Sequence, residues 1–374
     1  MKRNQSIFTL AALTLAMTAC NNEEIPVPPS YSDQYIEFGA PSIHVEAETK
    51  VGPIDQLPEG SSFGVLGYCL AQKAPDDATL VESSGALPWE NKKNLIKPTL
   101  FYQKEVTYSG SGCSYENPVK WYDPTNYLYT FFAYYPFAPE SGFSILSNEN
   151  TFGAPSVKFT MPVGNANDIS YDLNQHEIPD AMVAQEIDVQ RNEGVVPLNF
   201  YHILAGLNFQ VNNYNKDPED LEEPEAPSTG IELTVHSLKL QGEFYKSIVI
   251  NFDKGYDYPD ETYKGTYTLV ESDISVPAGT SITEIGERTL LLVSNISQTG
   301  KDNGYFGNIE VVIEYTFGGE RKTQRFTRPE NFLPAGGTIY TAQLNFIGNA
   351  FVLNFIVDNN YQWEDGGDSD ITFE

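Results

Sequence analysis

The sequence predicts an all-β protein that consists of two tandem antiparallel β-sandwich domains. Its 23 Tyr and 22 Phe, together with 29 Gly and 24 Pro, favour short strands separated by turns over helices. Short segments of alternating apolar and polar residues recur at hairpin spacing through both halves of the chain, which is typical of sandwiches. The length of 374 residues exceeds what one hydrophobic core usually supports, so we expect two domains.

The first residues predict export and attachment to a membrane. Residues 1–3 include a lysine and an arginine, residues 7–17 are apolar, and small residues stand directly before Cys20. This pattern is typical of a signal peptide, residues 1–20, that ends at a lipid-modified cysteine; the alternative is an ordinary cleaved signal with an incidental cysteine. The apolar stretch is about half of the ~20 residues that a membrane-spanning helix needs. Residues 21–33 are acidic and rich in proline, which predicts an extended tether.

The amino-terminal domain is expected over residues 34–193. Its strands are predicted at residues 34–49, 63–70, 100–108, 127–136, 156–161 and 180–189. The most distinctive run, residues 121–136, carries aromatic residues on both faces of one strand. That pattern favours a central strand covered on both sides, or one covered on one side while aromatic rings line the other.

A polar, turn-like break at residues 190–194 places the domain boundary, and the carboxy-terminal domain is expected over residues 194–374. The strand predicted at residues 231–240 is expected to end in a turn at Gln241-Gly242. Gly318-Gly319 suits a hairpin turn because glycine adopts the positive φ that such turns need. The full set of strands predicted here covers residues 195–211, 231–240, 245–252, 289–293, 308–317, 321–327, 339–347 and 350–357.

The net charge argues against phosphate-rich partners. The formal charge of −29 becomes −31 once residues 1–20 are removed, because they carry Lys2 and Arg3 and no acid. Nucleic acid and anionic lipid surfaces would repel such a chain. The acidity is typical of a solvated exterior.

Two cysteines remain beyond Cys20. Cys69 and Cys113 can pair in an oxidising compartment, and closing a loop of that length stabilises by about 4 kcal/mol in the chain-entropy model. Alternatively, Cys69 is a small buried residue of the strand at residues 63–70.

No assembled catalytic or metal site is predicted. Residues 60–64 match the G-x-S-x-G pattern, which would make Ser62 a nucleophile, but that chemistry needs a strand, a sharp turn and then a helix. Here a turn precedes the motif and a strand follows it. We therefore expect no enzyme, no cofactor and no metal ion. The histidines His44, His176, His202 and His236 are scattered and form no metal-binding cluster. The alternative is a calcium site with oxygen ligands from Asp365, Asp368 and Asp370, but these residues lack the EF-hand spacing and its closing bidentate glutamate.

Several short motifs occur in a recognisable order along the chain. They are Leu57-Pro58-Glu59-Gly60 before Phe63-Gly64-Val65, the ending Phe-Phe-Ala-Tyr-Tyr-Pro of residues 121–136, a His-x-Leu-Ala element within residues 198–211, Pro334-Ala335-Gly336-Gly337 before Thr338-Ile339-Tyr340, and the late Trp363. In this order, and behind a lipoprotein signal, they resemble the fimbrillin-like (Mfa-like, type V pilin) lipoprotein family of Bacteroidota.

The resemblance implies two transthyretin-like β-sandwich domains and a mechanical role. In that family the subunit reaches the outer membrane as a lipoprotein, and a trypsin-like protease, commonly arginine-specific, removes the first strand. The exposed groove then accepts a strand from a neighbouring subunit, which is β-augmentation. In this sequence the removable strand would lie within residues 34–50, with cleavage after Lys50 and a new amino terminus at Val51.

Two features depart from that pattern or leave it open. No arginine occurs between Arg3 and Arg191, so either a lysine-tolerant protease acts after Lys50 or the subunit keeps its lipid as an anchor or accessory component. Ile371 and Phe373 alternate as a donor strand would. The run is short and acidic, however, which also suits a tip subunit that donates no strand.

The expected function is that of a pilus (fimbrium) subunit, whether stalk, tip or accessory, which supports cell adhesion at the outer-membrane surface. Its expected partners are other pilus subunits, the outer membrane through the lipid before processing, and a host or bacterial surface receptor, but not nucleic acid. The alternative is a glycan-binding surface lipoprotein of the outer membrane, since such proteins are also lipidated, all-β and rich in aromatic residues.

Overall fold

The structure of the chain is a computed structural model that describes twelve stretches of it. These are residues 31–43, 56–69, 86–122, 126–137, 142–173, 178–191, 194–214, 233–259, 261–279, 282–293, 309–327 and 336–362. The predicted positions that lie outside these stretches are Cys20, Lys50, Val51, Ile371 and Phe373 of the processing and assembly predictions, and His44, His176, Asp365, Asp368 and Asp370 of the metal predictions.

Strands make up nearly all of the regular structure in these stretches, which confirms the all-β class. Up to residue 202 they are β1 (Tyr31–Tyr35), β2 (Ser42–Ile43), β3 (Ser62–Tyr68), β4 (Phe101–Tyr108), β5 (Cys113–Ser114), β6 (Lys120–Tyr122), β7 (Leu128–Tyr135), β8 (Phe143–Ile145), β9 (Ser156–Thr160), β10 (Asn167–Asp172), β11 (Met182–Gln190) and β12 (Asn199–His202). Beyond residue 202 they are β13 (Leu204–Asn213), β14 (Leu233–Tyr245), β15 (Ser247–Asn251), β16 (Gly255–Asp257), β17 (Thr262–Val270), β18 (Ile274–Val276), β19 (Ile282–Val293), β20 (Glu310–Phe317), β21 (Glu320–Thr327), β22 (Thr338–Ile347) and β23 (Ala350–Gln362).

Helical structure in the described stretches is short. Helix α1 (Trp89–Lys92) leads into a 3-10 turn at Lys93–Leu95. No helix in the part of the chain that the structure describes is long and apolar enough to cross a membrane.

The strands form five sheets, and most neighbouring pairs are antiparallel. The seven-stranded sheet has the order β2-β12-β11-β7-β3-β4-β5, and a six-stranded sheet has the order β10-β17-β14-β20-β21 with β18 added to β14. Two four-stranded sheets follow the orders β19-β13-β22-β23 and β16-β15-β9-β8, while β1 and β6 pair alone. The parallel pairs are β2–β12, β10–β17 and β13–β22.

Strand β7 is the centre of the seven-stranded sheet and is covered on both faces. All of its residues after Leu128 are buried. Because successive side chains of a strand point to opposite faces, the aromatic run supplies two hydrophobic layers at once. The first of the two interpretations of residues 121–136 is therefore confirmed.

The two faces of this sheet belong to two separate hydrophobic cores. We call the cluster that contains Phe132 and Tyr134 the main core; it continues through the carboxy-terminal half of the chain, where the Phe132 ring centre lies 4.8 Å from that of Phe252. We call the cluster that contains Phe131 and Tyr135 the amino-terminal core. One strand thus joins a core shared by the whole molecule to a smaller core on its other side.

The domain boundary expected between residues 193 and 194 stays a prediction. Four of the described strand pairings cross it: β2 with β12, β11 with β12, β9 with β15, and β10 with β17. Sheet continuity therefore links the two halves that the sequence divides.

The prediction of a turn at Gln241-Gly242 is wrong. Strand β14 continues through it, and Gly242 lies opposite Gly265 of β17. Leu240, Gly242 and Phe244 are successive buried positions, but glycine has no side chain to show the alternation in the sequence. By contrast, Gly318 and Gly319 have φ values of 59° and 81° between β20 and β21, which confirms the predicted hairpin.

Candidate functional site

Residues 31–43, which we call the amino-terminal segment, lie in a groove on the outer face of the seven-stranded sheet. At the start of the segment, β1 runs antiparallel to β6, with Tyr35 opposite Lys120. The Lys120 ammonium lies 5.5 Å from the centre of the Tyr35 ring. The backbone N–H of Ile36 then donates to the carbonyl of Val119 at 2.8 Å. The first half of the segment is therefore bound to one wall of the groove.

The second half of the segment is bound to the opposite wall. Val196 donates its N–H to the carbonyl of Glu37 at 2.7 Å, and its own carbonyl accepts the N–H of Gly39 at 3.0 Å. Ser42 donates its N–H to Leu198 at 3.1 Å, after which β2 pairs in parallel with β12. The segment thus supplies a strand that connects two edges, as in β-augmentation within one chain.

Two side chains of the segment point into the groove. Ile36 is 1% exposed and Phe38 is 2% exposed. The Phe38 ring centre lies 5.6 Å from that of Phe131, 5.9 Å from that of Phe101 and 6.0 Å from that of Tyr115. Full burial of side chains of this size contributes about 1.5–3 kcal/mol each. These two residues are the apolar anchors of the segment.

The floor of the groove is largely aromatic. The rings of Phe101, Tyr115 and Phe131 surround the Phe38 ring, and those of Phe101 and Tyr115 also pack edge-on against each other with their centres 5.3 Å apart. If the segment were absent, these rings would lose their contact with Phe38 and this part of the core would be opened to water. An exposed apolar surface of this kind marks an interaction site or an aggregation hazard.

Two side chains of the β5 region also hold the backbone of the segment. The Tyr115 hydroxyl donates to the carbonyl of Ile36 at 2.6 Å and accepts the N–H of Val119 at 3.3 Å. Burial raises the pKa of Tyr115, so the hydroxyl stays protonated as a donor. The Cys113 thiol donates to the carbonyl of Gly39 at 3.2 Å, and burial raises its pKa to about 11.

The chain is held on both sides of the predicted cleavage point. The segment ends in β2 at Ile43, and Leu57, which begins the approach to β3, is 3% exposed in the amino-terminal core. Lys50 lies between them and is the only Lys or Arg between Arg3 and Lys73. A cut after Lys50 would leave the segment bound only by non-covalent contacts.

The two internal cysteines are free thiols in the structure. Cys69 is fully buried directly after β3, where its carbonyl accepts the Thr99 hydroxyl at 2.6 Å. Burial raises its pKa to about 12, although the charge of Lys92 and a hydrogen bond with Tyr129 oppose that shift. Of the two interpretations of Cys69, the structure has the small buried residue and does not join it to Cys113.

The other residues considered for chemistry have structural partners. Ser62 opens strand β3 and lies 3.1 Å from the Thr107 hydroxyl, so the strand–turn–helix arrangement of a nucleophile elbow is not formed there. His202 is buried with Nδ1 2.7 Å from the Asp180 carboxylate, and His236 makes a similar contact with another aspartate. Within the described stretches, no three His, Cys, Asp or Glu residues are grouped as ligands for a metal ion.

Comparison with known proteins places the chain in a family. The sequence profile described as fimbrillin-like matches residues 77–357, which is 281 of the 374 residues. The chain belongs to the fimbrillin-like family. No curated protein matches the sequence significantly.

Solved structures agree with this fimbrillin-like fold. A fimbrial protein from Bacteroides vulgatus has a TM-score of 0.57 and 19% identity, and the match covers 86% of this chain and 99% of that chain. A candidate cell-adhesion protein from Bacteroides ovatus has a TM-score of 0.41 and 15% identity, with 87% and 96% covered. The first likeness shows the fold, and the second is too distant to add an argument.

Sequence reasoning missed several residues of this groove. The sequence does not predict the backbone hydrogen bonds that Val119 and Val196 make with the segment. It also does not predict the hydrogen bond from the Tyr115 hydroxyl to the segment. The only sequence signal for Tyr115 is an aromatic residue in the otherwise polar stretch 109–118. Contacts between residues so far apart in sequence depend on the folded sheet edges, which local patterns do not specify.

Proposed function

We propose that this chain is a pilus subunit that is exported as a lipoprotein, is cut after Lys50, and assembles by accepting a neighbour's strand in the groove now filled by residues 31–43. The lipid on Cys20 and the tether at residues 21–33 hold the precursor on the outer-membrane surface. The cut separates the folded part from its lipid and releases it into the fibre. The assembled fibre supports adhesion of the cell.

The observation that carries the proposal is the way the amino-terminal segment is bound. It closes the amino-terminal core with two apolar anchors, Ile36 and Phe38, and otherwise uses backbone hydrogen bonds to strand edges. Backbone bonds can be made by any extended chain, so another strand with apolar residues at the same spacing can replace it. Leaving the groove empty would expose both unpaired edges and the aromatic floor, which favours exchange over simple loss.

The carboxy terminus contains a matching pair of anchors. Ile371-Thr372-Phe373 repeats the apolar spacing of Ile36-Glu37-Phe38. We propose that Ile371 and Phe373 of one copy enter the sites of Ile36 and Phe38 in the next copy. A Cβ at the position of Gly39 would lie 3.2 Å from Val195 Cγ2, so the donor residue after Phe373 requires this exposed valine to shift slightly. Other pilus subunits with the same spacing would also fit.

Cleavage is tested on the cell surface with Lys50→Gln. We expect the native chain to begin at Val51 and to form ladders of higher mass, and the variant to begin at Cys20 and remain monomeric. Lys73→Gln, which alters the next basic residue along the chain, is the matched control and should assemble normally. Ladders from Lys50→Gln in native amounts, or a native chain that begins at lipidated Cys20 and stays monomeric, would contradict the proposal. The second result would leave an anchor, an accessory subunit or a glycan-binding lipoprotein.

Strand exchange is tested separately by locking the segment in place. Ser42 and Asn199 are partners in the parallel pairing and their side chains are hydrogen-bonded. Strands lie about 4.7–4.9 Å apart, which is within the Cα spacing of about 4.4–6.8 Å that a disulfide needs. The double variant Ser42→Cys/Asn199→Cys should be cut after Lys50 yet assemble only after reduction. The single variant Ser42→Cys should assemble without reductant, and assembly of the oxidised double variant would refute exchange in this groove.

A further inference from the structure

A cleft lies beside the groove, where β4 and the edge strand β5 meet. Its volume is about 420 Å³, which is within the usual range of roughly 300–1,000 Å³ for small-molecule sites. Its lining consists of Lys104, Glu105, Thr107, Ser114, Tyr115 and Glu116. None of these residues takes part in the donor-strand contacts except Tyr115, which forms a wall of both the cleft and the groove.

The wall formed by Tyr115 is held rigidly. Its hydroxyl is fixed by hydrogen bonds with the Ile36 carbonyl and the Val119 N–H. Its ring packs edge-on against Phe38 at 6.0 Å and against Phe101 at 5.3 Å. A ring that is fixed before a ligand arrives loses little conformational freedom on binding, which favours affinity.

The polar groups of the cleft decide which ligand suits it. Glu105 and Glu116 supply exposed carboxylates, Thr107 and Ser114 supply hydroxyls, and Lys104 supplies an ammonium 5.8 Å from the centre of the Tyr115 ring. The two carboxylates disfavour an anion, and so does the net charge of −29. The ammonium already beside the ring disfavours a second cation.

A neutral, hydroxyl-rich ligand suits the charged groups of this cleft. Sugar hydroxyls can donate to the carboxylates of Glu105 and Glu116 and accept from the Lys104 ammonium or the Ser114 hydroxyl. We propose that this cleft binds one sugar unit of a neutral surface glycan. The cleft is complete in the uncut chain, in which residues 31–43 hold Tyr115, so it can be tested on the uncut monomer.

The probe is a panel of neutral monosaccharides, each at millimolar concentration: glucose, galactose, mannose, fucose, xylose, N-acetylglucosamine and N-acetylgalactosamine. Saturation-transfer NMR on the uncut chain should detect at least one of them, with a Kd on the order of 1 mM. Ser114→Trp fills the cleft from an exposed position and should abolish the signal. Ser144→Trp, at an exposed serine of β8 on another sheet, is the matched control and should leave it unchanged.

A second variant examines the polar contacts. Glu105→Gln/Glu116→Gln keeps the shape of the cleft and should weaken binding by about tenfold or more, because hydrogen bonds to charged groups are stronger than those to neutral ones. The proposal is overturned if no sugar in the panel binds, if the signal survives in Ser114→Trp, or if a lysine-containing peptide binds the cleft more tightly than any of the sugars.

Discussion

The two cores on either side of the seven-stranded sheet are closed in different ways. The main core is closed by strands that belong to other sheets and are themselves paired on both sides, such as β14, β15 and β22. The amino-terminal core is closed in part by residues 31–43, whose strands pair only at short stretches with β6 and β12. Removing those residues would open one core and leave the other intact. The proposed strand exchange would therefore leave the main core in place.

Alternation along β7 makes this division possible. Phe132 faces the main core and its neighbour Phe131 faces the amino-terminal core, and both are fully buried. Substitutions on the two faces should consequently have different outcomes. Substitutions in the main core should lower the free energy of unfolding of the whole protein. Substitutions in the segment at residues 31–43 should chiefly weaken the binding of the segment in its groove.

The global effect is expected from Phe132→Ala. The change removes a buried ring that packs against Trp89 at 5.2 Å and Phe252 at 4.8 Å, and such truncations cost about 3–5 kcal/mol. Urea unfolding of the monomer measures the loss. Phe152→Ala makes the same chemical change at a residue that is 48% exposed, and should stay within about 0.5 kcal/mol of the native chain. Equal effects of the two variants would mean that the main core does not extend through Phe132.

A local effect is expected from Phe38→Ala. The segment loses its aromatic anchor, at a cost of about 3 kcal/mol, while the strands of the main core keep their contacts. Hydrogen exchange at the Ile36 amide should accelerate by roughly 100-fold, and exchange in β13 and β22 should not change. Glu37→Ala alters the exposed neighbour and is the control. If Phe38→Ala accelerated exchange everywhere equally, the segment and the main core would unfold as one unit.

The sequence predicted the strands but not how the segment is bound. Strands β3, β4, β7 and the hairpin of β20 and β21 follow from local alternation and glycine placement, and their predicted ranges agree with the structure. The alternation of Ile36 and Phe38 also indicates which side chains point inward. It does not indicate that Val119 and Val196, from two distant strands, supply the two walls, because that register is set only when the sheet has formed. The passage of β14 through Gly242 was missed for a related reason, since a strand partner replaced the turn that glycine suggested.

The two internal thiols have different surroundings. The half-buried Cys113 donates to the Gly39 carbonyl of the segment and burial raises its pKa to about 11, whereas Cys69 is fully buried directly after β3 and burial raises its pKa to about 12. Only the thiolate reacts, so a raised pKa slows alkylation at pH 8. When the segment leaves, water reaches Cys113, its pKa falls toward the usual value, and its thiolate fraction at pH 8 rises by up to about 100-fold.

Iodoacetamide labelling at pH 8, followed by mass spectrometry, measures the alkylation rates of Cys113 and Cys69. The protein used is a Cys20→Ser chain cut after Lys50, from which the segment can dissociate. Cys113 should label faster once the segment is displaced, and an added peptide of residues 31–50, which contains the whole segment, should restore the slow rate. Cys69 should remain slow throughout. Fast labelling of Cys69 together with Cys113 would show that displacement disrupts the sheet itself.

The smallest effect is expected from Tyr115→Phe, which keeps the ring and removes one hydroxyl. The Ile36 carbonyl loses its donor and the Val119 N–H loses an acceptor, at a cost of about 0.5–1.5 kcal/mol. Exchange at the Ile36 amide should rise by up to about tenfold. Tyr102→Phe removes a comparable bond, from the Tyr102 hydroxyl to the Ser147 carbonyl at 3.0 Å, and should leave that amide unaffected.

Combining Tyr115→Phe with Phe38→Ala tests how the segment is held. The Tyr115 ring packs against Phe38 while its hydroxyl binds the Ile36 carbonyl, so the two substitutions share one site and should not be additive. A double variant whose segment is weakened by less than the sum of the single effects would mean that anchor and hydroxyl act as one unit, because the hydroxyl bond depends on the anchor for its geometry. Additive effects would mean that the Tyr115 hydroxyl binds the Ile36 carbonyl whether or not Phe38 is in place. The backbone bond would then be available to any extended strand, and the spacing of the apolar anchors would matter less for the choice of donor strand.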